Sequence, residues 1–363
     1  MNKVFTFMLF LGLLPIPTLS PAQSSKKPVI IAVFDSGIDE THPFLKDHLW
    51  INPGEIPDNK IDDEGNGIVD DVHGLNWTHK NGDIRDDQEY GHGTHVSGIV
   101  LGSHKKTISE NITIISLKYN ELNPGESLLK SLEYAEKNGV LLFNISYYLE
   151  PRHWRLTRPE VEKLSDYDRA QLIPIMKEFY RRQDKIIIIR DSSEFVNWYL
   201  TYQSDFMYDW NQAMAKIKQL QDKMLIIASV GNYNGNLNEI DLEPATLSSS
   251  NIISVMNLDK NYRRFKNTHY GSDYGNKKVL LGAVGEDVLS TVPRRVHPSG
   301  WLRSSGASSA APKITYRCAQ IVLDLKKRGM VPTPERIKRE LLGELPVSED
   351  LKRYTITGKY LEE

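Results

Sequence analysis

A chain with a single cysteine, Cys318, cannot close an internal disulfide or build a cysteine-based metal site. That cysteine lies in the apolar helical stretch from Ile314 to Leu325, which suits a buried, inert thiol better than a nucleophile. An excess of one charge sign is also missing. The 45 basic and 47 acidic residues leave a formal net charge of −2, so there is no electrostatic ground for a nucleic-acid or membrane-surface partner. No internal repeat or low-complexity tract interrupts the 363 residues. With 40% hydrophobic and 25% charged residues, the chain can bury a sizeable core, which argues against disorder.

Long apolar runs are confined to the beginning. Val4 to Leu14 follows Lys3, is broken by Pro15 and Pro17, and leads to Ser20-Pro21-Ala22. This is the grammar of an export signal cleaved after Ala22. The run falls short of the roughly 20 residues a membrane helix needs. Residues 1–22 are therefore expected to direct export, with the product secreted or periplasmic and without a membrane span once the signal is removed. Residues 23–363 are expected to form one domain. Nothing in the pattern specifies an oligomer.

From Val29 the chain alternates short apolar runs with helical spacing. Val29 to Phe34, Ile112 to Leu117, Val140 to Ile145, Leu225 to Val230 and Ile252 to Met256 read as buried strands. Leu128 to Lys137 and Trp210 to Lys223 have helical spacing, and Thr333 can cap a further helix beginning at Pro334. Strands alternating with helices predict a parallel sheet with helices on both faces, and in such sheets the ligand site lies beyond the strands' carboxyl ends. The stretch from Glu150 to about Asp209 breaks this rhythm. Charged, aromatic and mostly helical, it reads as a long insertion, in which Lys185 to Ile189 is a candidate extra strand.

Three motifs far apart in the chain carry candidate chemistry. Asp35 ends the first strand. His92 lies in Gly91-His92-Gly93-Thr94-His95-Val96-Ser97-Gly98, and Ser308 in Gly306-Ala307-Ser308-Ser309-Ala310-Ala311-Pro312. A serine hydroxyl becomes a useful nucleophile only when a base takes its proton, and imidazole has the right basicity near neutral pH. A carboxylate on the far ring nitrogen fixes the tautomer and stabilises the imidazolium. A helix starting at the serine favours a developing oxyanion. Each residue also has a bland reading: a turn aspartate, a buried hydrogen-bonded histidine, a helix-capping serine. Together, in this order, they favour chemistry.

With these motifs the sequence resembles the subtilisin-like serine proteases, whose chain order is Asp, His, Ser. The likeness extends to Ile226-Ile227-Ala228-Ser229-Val230-Gly231-Asn232, Tyr270-Gly271, Ala283-Val284-Gly285 and Leu289-Ser290-Thr291-Val292-Pro293, and covers most of residues 28–345 outside the insertion. The resemblance implies a three-layer α/β fold with a mainly parallel sheet. It further implies hydrolysis of a protein or peptide substrate through an acyl-enzyme, with Asn232 and the Ser308 N–H holding the oxyanion and no cofactor needed for the chemistry.

Departures from the family pattern cluster around substrate binding. Ala307 stands where a threonine is usual, and Ser309 where a methionine is common. Ser146-Tyr147-Tyr148 replaces a strand end that usually runs into two glycines beside the scissile bond, so the tyrosines are expected to narrow the pocket. The insertion starts there too, and is expected either to restrict access or to be a surface decoration. Only Gln23 to Lys27 separate the signal from the domain, where relatives often carry a fold-assisting pro-segment. The expectation is maturation without one, or with help in trans. Two other classes stay open: a subtilisin-fold peptide- or partner-binding protein with little turnover, and another serine hydrolase, for which the Gly-x-Ser-x-Gly elbow is lacking.

One acidic loop is a candidate for structural calcium. Asp62, Glu64 and Asn66 alternate along a glycine-containing turn, and Asp70 and Asp71 follow. Position twelve is His73 rather than the bidentate glutamate of an EF-hand. A solvated turn is the alternative.

Overall fold

The computed structural model describes residues 28–105, 111–120, 122–149, 156–181, 183 and 185–362. The expected export signal lies outside them. The apolar run after Pro28 forms β1 (Val29–Asp35), followed by β2 (Gly74–Asn76), α1 (His92–Val100), β3 (Ile112–Lys118), α2 (Pro124–Lys137) and β4 (Leu142–Ile145). The insertion supplies α3 (Arg158–Glu162), α4 (Asp166–Arg181) and the first half of α5 (Ser192–Gln219). Then come β5 (Leu225–Ser229), β6 (Ile252–Leu258), β7 (Leu281–Val284), β8 (Val288–Thr291), β9 (Trp301–Ser304), α6 (Ala307–Lys327), α7 (Pro334–Glu344) and β10 (Tyr360–Leu361).

The main sheet has the order β10-β7-β6-β5-β4-β1-β3-β2, and every pairing in it is parallel. Side chains alternate between two apolar layers. Ile31 and Val33 pack with α1 and α6 through Val96, Val100, Ile314 and Cys318, whereas Ala32 and Phe34 pack with α2 and α5 through Leu128, Leu132 and Trp210. Covering both faces is what turns the strands into continuous apolar runs rather than alternating ones. The three-layer α/β architecture expected from the sequence is the one observed. Cys318 is fully buried, and burial pushes its thiol well above the ordinary range. Thr333 caps α7 by accepting the Arg336 N–H at 3.2 Å, with Pro334 in the first turn.

Residues 185–189 form no strand. The segment is extended, but Ile186 is 89% exposed and no described residue pairs with it in a ladder, because the neighbouring α3 and α4 pack on α5 and offer no sheet edge. Helix α5 also ignores the expected boundary at Asp209 and runs 28 residues from its Asp191 cap, whose side chain accepts the Glu194 N–H at 2.9 Å. Aromatic packing holds the insertion together: Phe179 meets Tyr202 edge-to-face, and Phe195 stacks on Tyr199. Three features dock α5 onto the domain. Asn123 Nδ2 donates to Asp209 at 2.8 Å, and Trp210 Nε1 donates to Glu243 at 2.7 Å. At Gly125 the helix comes so close that a Cβ would sit 2.5 Å from the Trp210 nitrogen.

Candidate active site

Asp35 is the last residue of β1, between β4 and β3 near the middle of the sheet, and is 2% exposed. Its Oδ1 accepts the Ser36 N–H at 2.8 Å and lies 2.7 Å from His92 Nδ1. A carboxylate at Nδ1 requires the proton there, which leaves Nε2 as the basic nitrogen of the neutral ring. His92 opens α1, and its side chain is 38% exposed. The helix starts there because Gly91 takes the left-handed conformation (φ 61°), and a Cβ on Gly91 would strike Pro293 at 2.3 Å. Burial works against the charged imidazole. The charge and hydrogen bond of Asp35, with the charge of Asp86, outweigh it and hold His92 above the ordinary histidine value.

Ser308 is the second residue of α6, in its first turn. Asn232 follows β5, and its Oδ1 accepts the Ala307 N–H at 2.8 Å, which fixes the amide so that Nδ2 is the outward donor. An ideal Cβ on Gly306 would lie 3.3 Å from Ser308 Oγ and 3.4 Å from Asn232 Nδ2, so hydroxyl and amide border one small space. Ala307 is fully buried in the apolar layer and Ser309 is 2% exposed. Burial holds His95, one turn along α1, neutral down to about 4, and its Nε2 faces the Val288 carbonyl at 3.2 Å.

The tyrosines after β4 diverge. Tyr147 turns inward, with ring centroids 5.1 Å from Tyr119 and 6.4 Å from both Phe34 and Trp210. Tyr148 instead meets Tyr233, the neighbour of Asn232, edge-to-face at 5.9 Å. Burial and the Tyr233 hydroxyl push the Tyr148 phenol above its ordinary range. Ser146 Oγ lies 3.4 Å from Asn144 Nδ2. Tyr233 and Trp210 were not singled out from the sequence. The adjacency of Tyr233 to Asn232 was the available signal.

The acidic loop is arranged differently from the expected alternation. Asp62 accepts the N–H groups of Asn66 and Gly67 at 3.0 and 2.7 Å, and Asp70 Oδ2 accepts that of Lys60 at 3.0 Å, while Asp70 Oδ1 has no hydrogen-bond partner among the described residues. Asn66 donates through Nδ2 to Glu64 and Asp71 instead of presenting its carbonyl to a shared point. Glu64 and Asp71 converge with a residue the sequence reading missed, Glu55, each offering one oxygen within 4.8 Å of the others. Asp71 is fully buried and Glu55 is 7% exposed. Neither Glu55 oxygen nor Asp71 Oδ1 has a hydrogen-bond partner among the described residues. Burial pushes both carboxyls up; the Glu64 N–H beside Glu55 and the Tyr134 hydroxyl beside Asp71 oppose it.

Comparison with known proteins agrees with this fold. The sequence profile of the subtilase family matches residues 26–344. Subtilisin-like protease 1 of Plasmodium vivax is 49% identical over 295 residues, covering 78% of this chain and 39% of that protein. Its Plasmodium falciparum (isolate 3D7) counterpart is 27% identical over 299 residues, covering 78% and 36%. The chain thus spans well under half the length of these relatives. Among solved structures, a lanthipeptide protease superposes with a TM-score of 0.59 at 18% identity, covering 93% of this chain and 86% of that one, a likeness of fold. With the profile spanning nearly all of the described residues and the fold agreeing, the chain belongs to the subtilase family.

Proposed function

We propose that this chain is an exported serine endopeptidase in which Ser308 is the nucleophile, His92 the base and Asp35 its orienting carboxylate. The observation that carries this reading is the 2.7 Å contact between Asp35 Oδ1 and His92 Nδ1, made across 57 residues of sequence. Ser308 Oγ bonds to the peptide carbonyl carbon as its proton passes to His92 Nε2. The carbonyl oxygen, now negative, is held by Asn232 Nδ2 and the Ser308 N–H at the start of α6. His92 then protonates the leaving amine, the C–N bond breaks, and water repeats the sequence on the acyl-enzyme. Export rests on the signal grammar of residues 1–22. Among the described residues no helix is long and apolar enough to cross a membrane.

Restricted specificity is the finer part of the reading. Two adjoining pockets of about 310 and 230 Å³ share Thr78, His79, Asn120 and Leu122. One reaches Ser36, beside Asp35, and the other reaches Phe179 and Gln183 at the insertion. An extended peptide lying along them would touch α4 while its scissile bond sits at Ser308. The Tyr148–Tyr233 pair borders the space next to Asn232 and limits what fits there.

Structural calcium completes the proposal, at Glu55, Glu64 and Asp71 rather than at the alternating loop positions. Glu55 and Asp71 are shut away from water, and the partly buried Glu64, which also accepts Lys137 Nζ at 2.6 Å, stands beside them. Carboxylates so placed suit a hard cation with oxygen ligands, and the orphaned oxygens of Glu55 and Asp71 supply donors. Asp62 and Asn66 then shape the loop through their own hydrogen bonds.

Four outcomes test these statements. A fluorophosphonate probe should label the wild type and not Ser308→Ala; an unlabelled, folded wild type would favour the binding protein with little turnover, and peptide against ester substrates would separate peptidase from esterase. Because His92 must be neutral to act as base, kcat/KM should rise with pH through a midpoint above 6.5, the ordinary histidine value. Lengthening a peptide substrate should raise kcat/KM, and Gln183→Ala, at the exposed end of the second pocket, should reduce that gain while short substrates keep their rate. Calcium should raise Tm by several degrees over a chelator control, and Glu55→Gln should abolish the difference; equal Tm values in the wild type would rule the ion out.

A further inference from the structure

Two buried carboxylates, not one, face the first turn of α1. Besides Asp35 there is Asp86, six residues before His92 and 4% exposed. Its Oδ2 accepts the Thr94 N–H at 2.9 Å and the Thr94 hydroxyl at 2.7 Å, and its Oδ1 accepts the Ser36 hydroxyl at 3.0 Å. Backbone donors fix the direction of both hydroxyls. Ser36 Oγ accepts the Gly93 N–H at 2.8 Å, and Thr94 Oγ1 accepts the Asp39 N–H at 3.0 Å, so each hydroxyl spends its hydrogen on Asp86. Three donors converge on the carboxylate and none of its contacts needs it to donate, which is the pattern of an anion. Burial pushes the Asp86 carboxyl up, and the Thr94 bonds draw it back.

This arrangement does a job that α1 leaves undone. Its cap residue is Gly91, which offers no side chain to the unsatisfied N–H groups of the first turn. Ser36 takes the N–H of Gly93 and Asp86 that of Thr94, so the cap comes from outside the helix. Ser36 follows Asp35 directly. One chain of bonds therefore ties the Asp35 peptide, the turn bearing His92 and Asp86 together.

We propose that Asp86 is a positioning residue for the reaction: through Ser36 and Thr94 it fixes the turn that carries His92, and its negative charge, added to that of Asp35, favours the imidazolium formed when Ser308 is deprotonated. The inference rests on the serine-hydrolase reading above. The other charged groups around His92 and Asp86 are placed differently. Asp39 and Glu40 are partly exposed in the loop after β1, Asp87 is exposed and paired with Lys118 of β3, and Arg85 is paired with Asp83. Arg295 donates to the backbone carbonyls of Asp86 and Gln88, not to the carboxylate. His95 is neutral above about 4. Asp35 and Asp86 are the buried anions of this set.

Asp86→Asn keeps the shape and removes the charge. Followed by imidazole NMR, which needs no turnover, His92 in this variant should titrate about half a pH unit lower than in the wild type, the size expected of one nearby charge. The acid limb of kcat/KM should move with it, and kcat should fall about tenfold with KM nearly unchanged, the scale of a positioning loss. An unmoved His92 titration overturns the proposal. Ser36→Ala separates the two roles and covers the case in which Asp86→Asn does not fold. It cuts the link to Gly93 but keeps the charge, so kcat should fall while the His92 titration stays in place; an unchanged kcat would remove the positioning role. Fluorophosphonate labelling of the wild type in parallel tells failure of this inference from failure of the hydrolase reading.

Discussion

The hydrogen bond between His92 Nδ1 and Asp35 Oδ1 sets the terms for everything around it. It demands that the end of a central strand meet the start of a helix on the same side of the sheet. A parallel sheet does this naturally, because its strands all end at one edge and its crossover helices return from there. β1 delivers Asp35, the loop after β5 delivers Asn232, and α6 begins at that edge with Ser308. The bond is also electrostatically demanding. A carboxylate that is 2% exposed must be held by donors, and Asp35 has the Ser36 N–H and the ring of His92 to do it. The same proximity makes His92 a stronger base than a free imidazole despite the burial that opposes its charge.

The insertion is tied into this frame rather than appended to it. Trp210 is fully buried where α2, β4 and α5 meet, and its indole N–H reaches Glu243, whose backbone pairs with Leu149 just after Tyr148. Burying a side chain of that size contributes about 2–3 kcal/mol or more, far more than the exposed ion pairs along the insertion could. Movement of α5 would therefore be felt at the strand end that carries Tyr147 and Tyr148.

What could be read from the sequence follows the distance over which each signal acts. Strands buried on both faces gave unmistakable apolar runs, and residues at their carboxyl tips stood out by contrast, as Asp35 did. Thr333 was legible as a cap because capping is a local bond. Residues 185–189 misled because Ile186 and Ile188 have strand-like character without a sheet edge to meet; pairing is a tertiary fact. Glu55 was passed over because its partners, Glu64 and Asp71, come from a turn nine and sixteen positions on, and no periodicity links them. Asp62 has the spacing of a calcium loop, and the turn also sets its carboxylate on the N–H groups of Asn66 and Gly67, a pairing that spacing alone does not show.

Asp86 and Glu55 show two different solutions to one problem, a carboxylate shut away from water. Asp86 is surrounded by three donors, and both donating hydroxyls are themselves held by a backbone N–H, so the charge is compensated by dipoles that need nothing from outside. Those donors favour the charged form against the burial that pushes the carboxyl up, which suits the positioning role proposed for Asp86. Glu55 has only the N–H groups of Glu64 and Asp63 near it, neither in hydrogen-bond geometry with its oxygens, and Asp71 beside it adds like charge. Its burial is tolerable only if a proton or a cation arrives, so its state depends on the surroundings. One site is thus self-sufficient and lies against the reacting groups. The other is conditional and lies in a loop, where a bound cation would lock structure without touching the chemistry.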